Sequence, residues 1–123
     1  MTKAGAIHQF MESFGIPAYP TSNVPDDVVF PYLTYELITG AWGDAPVGMT
    51  AELWYYTTSE KQPNDKVNEI SAALMKGGKV LRCDEGLVWL KRGEPWCMNL
   101  KDEADPTIKR RQLNITAEYP TFY

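Results

Sequence analysis

The strongest constraint on the fold is the run of residues 108–119, which alternates without interruption. Leu113, Ile115, Ala117 and Tyr119 fall on one side, and Gln112, Asn114, Thr116 and Glu118 on the other. A period of two turns one set toward a core and the other toward water, so this segment is a strand in a sheet with one covered face. At about 3.3 Å per residue it reaches about 40 Å, longer than an ordinary strand, which leaves room for one end to extend past its own sheet.

The rest of the chain supplies what such a sheet packs against. Across residues 4–14, Ile7, Phe10, Met11 and Phe14 recur at the spacing of one helical face, with His8, Gln9 and Glu12 opposite; Gly15 and Pro17 close the helix. Residues 16–31 hold Pro17, Pro20, Pro25 and Pro31 among polar residues, which predicts an extended surface connection without regular structure. Residues 32–38 and 49–58 read as two strands of one hairpin. In the second, Ala51, Leu53, Tyr55 and Thr57 alternate with Glu52, Trp54, Tyr56 and Thr58. The intervening residues 39–48, which include Trp42 and Asp44, form a loop about twice the usual hairpin length and a candidate contact arm.

Ser59 and Gln62 fit a capping box, Pro63 suits a first helical turn, and Val67, Ile70, Ala73 and Leu74 make the apolar stripe of a second helix, which Gly77 and Gly78 stop. Strands at 79–83, 87–91 and 96–100 follow, separated by the turns 84–86 and 93–95. This order predicts a single α+β domain over residues 1–123, an antiparallel sheet packed against two helices.

Composition narrows the function. At 44% hydrophobic and 23% charged residues the chain is of ordinary globular make-up. No apolar run approaches the length that crosses a bilayer. The first residues lack the order of a signal peptide, so the expectation is a protein made and kept inside a cell. Residues 1–75 carry 3 basic and 9 acidic groups, and residues 76–123 carry 9 basic and 7 acidic, within an overall net charge of -4. That balance disfavours a DNA-binding module. It suits head-to-tail association of copies, provided that charge segregated in sequence is also segregated in space.

Candidate chemistry is sparse. Cys83 and Cys97 with the lone His8 cannot supply a four-ligand zinc site; the thiols are small buried hydrophobes, or a disulfide if they face each other across strands. His8 has no motif around it that would make it a catalytic base and reads as an exposed residue of the first helix. The acidic run 102–105 lacks the ligand spacing of a calcium loop. The expectation is therefore no catalytic residue, no metal and no cofactor. Lys109, Arg110 and Arg111 form a short basic cluster. Alternation puts Arg110 on the polar face and Lys109 and Arg111 on the opposite one near a sheet edge, where they pair with the preceding acids or with a neighbouring subunit. Trp42, Asp44, Arg110, Arg111 and Gln112 are the candidate interface residues; Tyr35, Trp89 and Trp96 are expected in the core.

Several stretches together look familiar: the Pro-rich passage into Phe30-Pro31-Tyr32-Leu33-Thr34-Tyr35, the strand Ala51-Glu52-Leu53-Trp54-Tyr55-Tyr56, the helix over 66–74, and the closing Ile108-Lys109-Arg110-Arg111-Gln112-Leu113-Asn114-Ile115. In this order of elements the chain resembles the tail terminator, or tail-completion, proteins of long-tailed bacteriophages. The resemblance implies a structural subunit of the virion tail, assembled in the host cytoplasm, that forms a homo-hexameric ring. Such a ring caps the tail tube protein, meets the neck or connector protein, and leaves an acidic channel through which DNA passes without specific binding; no membrane is involved. Another neck or head-closure subunit would share the same logic, whereas a small enzyme or ligand-binding domain would need a pocket that the sequence does not display.

Overall fold

The computed structural model describes residues 2–36, 47–84, 86–101 and 104–118. Helix α1 spans Lys3–Glu12; its N-cap Thr2 accepts a hydrogen bond from the Gly5 amide at 3.0 Å, and Ala6, Ile7, Phe10 and Met11 are buried. Gly15, at φ +81°, turns the chain away from the helix in a conformation that L side chains rarely adopt. Strands β1 (Ala18–Pro20), β2 (Tyr32–Tyr35) and β3 (Val47–Tyr56) follow, then helix α2 (Lys61–Leu74) and strands β4 (Lys79–Cys83), β5 (Gly86–Lys101) and β6 (Ile108–Glu118).

The six strands form one sheet in the order β1-β2-β3-β6-β5-β4. The sheet is mixed, which corrects the expectation of a purely antiparallel one. β1 runs parallel to β2, with Ala18 opposite Leu33, inside the proline-rich stretch expected to lack regular structure. The Thr21 amide donates to the Tyr35 carbonyl and the Leu33 amide to that of Pro17, so this extended backbone adds a strand despite its prolines. β6 is not near an edge. It is central, pairing antiparallel with β3 on one side and β5 on the other, so over its described length it stays within its own sheet. The segments 87–91 and 96–100 belong to the single strand β5. Arg92 lies opposite Ile115 and Cys97 opposite Leu113, so the residues between them bulge out of the ladder, with the Asn114 side-chain amide donating to the Pro95 carbonyl at 2.7 Å.

One core joins both helices to one face of the sheet. Ile7, Phe10, Met11 and Phe14 from the first helical segment and Val67, Ile70 and Leu74 from α2 meet Leu33, Tyr35, Met49, Ala51, Leu53, Tyr55, Val88, Leu90, Leu113, Ile115 and Ala117. Lys66 fastens the two helical segments together by donating to the Phe14 carbonyl at 2.7 Å, which satisfies an acceptor just past the end of α1. The N-cap of α2 is Glu60, whose side chain makes no capping bond; Ser59 instead accepts from the Lys61 amide through Oγ at 3.2 Å, so the expected capping box does not form. The architecture is α+β, with a mixed sheet.

Candidate functional site

The sheet face turned away from the helices carries a row of aromatic rings. Cross-strand register places Tyr32 beside Trp54 and Trp54 beside Arg110. The Tyr32 and Trp54 rings are parallel within 4° at a centroid separation of 5.7 Å, and the Arg110 guanidinium lies 4.3 Å from the Trp54 ring centroid. Trp54 donates its indole N–H to Thr34 Oγ1 at 3.0 Å. Phe30 and Tyr19 each approach Tyr32, at 5.3 and 6.4 Å, and Phe30 also approaches Tyr56 at 5.9 Å. At the border of this cluster Val29 is 74% and Tyr56 61% exposed. Large apolar side chains therefore continue from a well-packed patch directly into solvent.

Arg110 ties the row to charge. It donates through Nη2 to Glu52 Oε2 at 2.9 Å, while its Nε is the one buried side-chain polar atom without a hydrogen-bond partner among the described residues. Beside it a polar cleft of about 260 Å³ is lined by Thr21, Thr34, Glu36, Thr50, Glu52 and Trp54. Burial pushes the Tyr32 hydroxyl above its ordinary range, an effect that Arg110 opposes and Glu52 reinforces. Gln112 sits one step along β6 on the same face, opposite Glu52.

Arg111 turns the other way. It is 2% exposed and points to the core side, where Nε donates to Asn64 Oδ1 at 3.1 Å, Nη1 to the Arg110 carbonyl at 3.1 Å and Nη2 to Glu60 Oε2 at 2.5 Å. Lys109 adds a contact to Glu60 at 3.2 Å. The Arg111 hydrogen bond, and then that of Lys109, holds the Glu60 carboxyl below its usual range. Alternation assigns Arg111 to the correct face, where its guanidinium is engaged by α2 and its N-cap within the same chain. Of the five expected interface residues, Arg110 and Gln112 share the outer face, and Trp42 and Asp44 lie outside the described residues.

His8 is half-buried rather than freely exposed. Its Nδ1 lies 2.7 Å from the Tyr35 hydroxyl and its Nε2 2.8 Å from Glu12. This hydrogen-bonded chain joins α1 to β2, and Tyr35 at its inner end is 2% exposed, which closes that hydroxyl to a reactant. Tyr35 is in the core as expected; Trp96 only packs against its edge, and Trp89 is half-exposed, donating to the Gly77 carbonyl at 2.8 Å with Lys91 3.7 Å from its ring centroid. Cys83 and Cys97 are half-buried free thiols, so no disulfide joins them, and burial raises the Cys97 thiol. Among the described residues no group of three or more His, Cys, Asp or Glu gathers into a metal site.

Sequence reasoning put Trp54 opposite the inward set of β3 but did not mark it as the centre of the site. The available signal was Trp54 and Tyr56 alternating with Leu53 and Tyr55, large apolar residues on both faces of one strand. Together the fold and this face define a small α+β domain whose aromatic row lies on the sheet face away from the helices, with Tyr32 8% exposed at its centre and Tyr56 exposed at its border. The chain matches no family model, no curated protein and no solved structure.

Proposed function

We propose that this chain is a structural subunit of a long-tailed bacteriophage virion, a tail terminator whose copies form a six-membered ring that caps the tail tube and joins it to the neck or connector. The reading starts from the resemblance in element order and in the stretches around Tyr32, Trp54 and Arg110. The observation that carries it is the aromatic row on the open sheet face. Tyr, Trp, Phe and Arg are the residues that protein–protein interfaces concentrate, and here part-exposed Phe30, Trp54 and Arg110 and exposed Tyr56 gather around buried Tyr32 on the sheet face away from the helices. In this reading the patch meets a partner protein, DNA crosses the ring without specific contacts, and the chain performs no catalysis.

Electron microscopy of the purified protein, alone and mixed with tail tube protein, tests the proposal. Rings with six subunits, and retention of tube and connector proteins in a pull-down, are the expected results. A virion map with threefold or twelvefold symmetry at this position would overturn it. Retention of a head protein without the tube would move the assignment to a head-closure subunit.

A further inference from the structure

The β4 edge and the β1–β2 connection carry opposite charge that is not matched among the described residues. Several charged side chains within the domain are matched: Glu52 with Arg110, Glu60 with Arg111 and Lys109, Asp65 with Lys61, Glu69 with Lys66, and Glu118 with Lys91. At the β4 edge, Lys76, Lys79 and Arg82 make no side-chain ion pair or hydrogen bond among the described residues. On the β1–β2 connection Asp26 and Asp27 are exposed and equally unmatched among the described residues, and so is the carboxylate of Glu36 just after β2.

The edges also differ as backbone surfaces. β1 is 3 residues long and ends in Pro20, which has no amide to donate, so it is closed to further pairing. β4 contains no proline and, among the described residues, pairs only with β5. Along it a groove of about 510 Å³ opens between α1 and the strand, lined by Gln9, Phe10, Ser13, Val80, Leu81 and Arg82, and Val80 is 49% exposed. Two β4 edges brought together by a twofold axis would oppose like charges, which disfavours a symmetric dimer through this strand.

We propose that the occupant of the β4 edge is a second copy of this chain, docking head to tail with the Asp26–Asp27 connection of one copy against Lys79 and Arg82 of the next. This rests on the ring reading and names the two surfaces that meet in it. Each subunit offers one acidic and one basic end, a heterologous contact that repeats until the ring closes. Opposite charge steers the encounter and sets its orientation, and the exposed apolar surface at Val80 is covered in the contact.

Two full-length variants test the assignment, Lys79→Glu/Arg82→Glu and Asp26→Lys/Asp27→Lys. These side chains are unmatched, so both proteins should keep the wild-type melting temperature. Mass is measured by light scattering across protein concentration at low salt. Each variant alone is expected to associate more weakly than wild type by on the order of tenfold or more, and an equimolar mixture to recover association, because each supplies the charge that the other lacks. If either variant alone associates like wild type, or if the mixture stays monomeric while wild type assembles, this edge assignment is wrong and the ring reading stands. If wild type remains monomeric at every concentration, with and without tail tube protein, the ring reading fails with it.

Discussion

Arg110 and Arg111 are neighbours along β6, joined also by a hydrogen bond from Arg111 Nη1 to the Arg110 carbonyl, yet their guanidiniums lie on opposite faces of the sheet. One rests on Trp54 in a surface patch; the other is enclosed beside Glu60 and Asn64. The same residue type therefore answers to different physics at adjacent positions, and substitutions should separate the two.

For Arg111 the cost lies in leaving a charge buried without its counter-ion. Glu60→Ala should lower the melting temperature more than Arg111→Met, which removes the charge and keeps an apolar side chain of similar length. Adding Arg111→Met to Glu60→Ala should restore part of the loss. Thermal denaturation of the three variants checks this ordering, and a double variant no better than Glu60→Ala alone would contradict it.

Acid should weaken the same contact. The folded Glu60 carboxyl is held below its ordinary value of 4.5, so as pH falls through that range the unfolded chain takes up the proton first. The stabilisation is fully present above about pH 4.5 and is lost as pH drops through the lowered folded value. Wild type should lose more stability between pH 6 and pH 3 than Glu60→Gln, as read by chemical denaturation at each pH, with the two curves running parallel above pH 6.

On the outer face, Arg110→Gln should keep the fold while weakening partner contact. Arg110→Glu is a harsher change, because the new carboxylate would face Glu52 where a 2.9 Å ion pair now stands, and it should cost on the order of 1 kcal/mol of stability. Trp54→Ala, which removes the stack with Tyr32 and the seat for Arg110, should cost about 1–2 kcal/mol and abolish binding through this patch. Melting measurements paired with a tube or connector pull-down read both effects.

The two sides of β6 should respond unequally. Leu113 and Ile115 are 0% and 1% exposed, so truncating either to Ala should cost about 2–5 kcal/mol, while Gln112→Ala should stay within about 0.5 kcal/mol. Similar losses on both faces would mean that the outer face is also packed in solution.

Gly78 adopts φ +92°, and an added Cβ would lie 2.4 Å from the Trp89 indole nitrogen. Gly78→Ala should therefore cost more than about 1 kcal/mol and displace the indole that bonds to Gly77, visible as a shift in tryptophan fluorescence alongside the lower melting temperature.

How much of this was legible follows from how local each signal is. β6 and both helices announce themselves because one face of each is apolar at a fixed period, and the inward set Leu113, Ile115 and Ala117 is buried as expected. β1 has no such signature: three residues ending in Pro20 join the sheet through parallel pairing with a strand on the far side of a connection. Gly93, Glu94 and Pro95 carry turn chemistry, but a bulge needs the same residues, and only the ladder to β6 distinguishes the two. Arg111 was placed on its face by alternation; its burial depends on Glu60, 51 residues away, which no local pattern reveals. The aromatic row likewise exists only once Tyr32, Trp54 and Arg110 are brought into register from three strands.

The central position of β6 also fixes the order in which the sheet can be completed. The β4–β5 hairpin closes through nearby residues, but the inner edge of β3 has no partner until β6, whose Arg110 lies 58 residues beyond Glu52, is available. The two halves of the sheet, β1-β2-β3 and β5-β4, are joined only through β6 among the described residues. Until residues 108–118 have docked, the inner edge of β3 has no partner in the sheet and is open to mispairing.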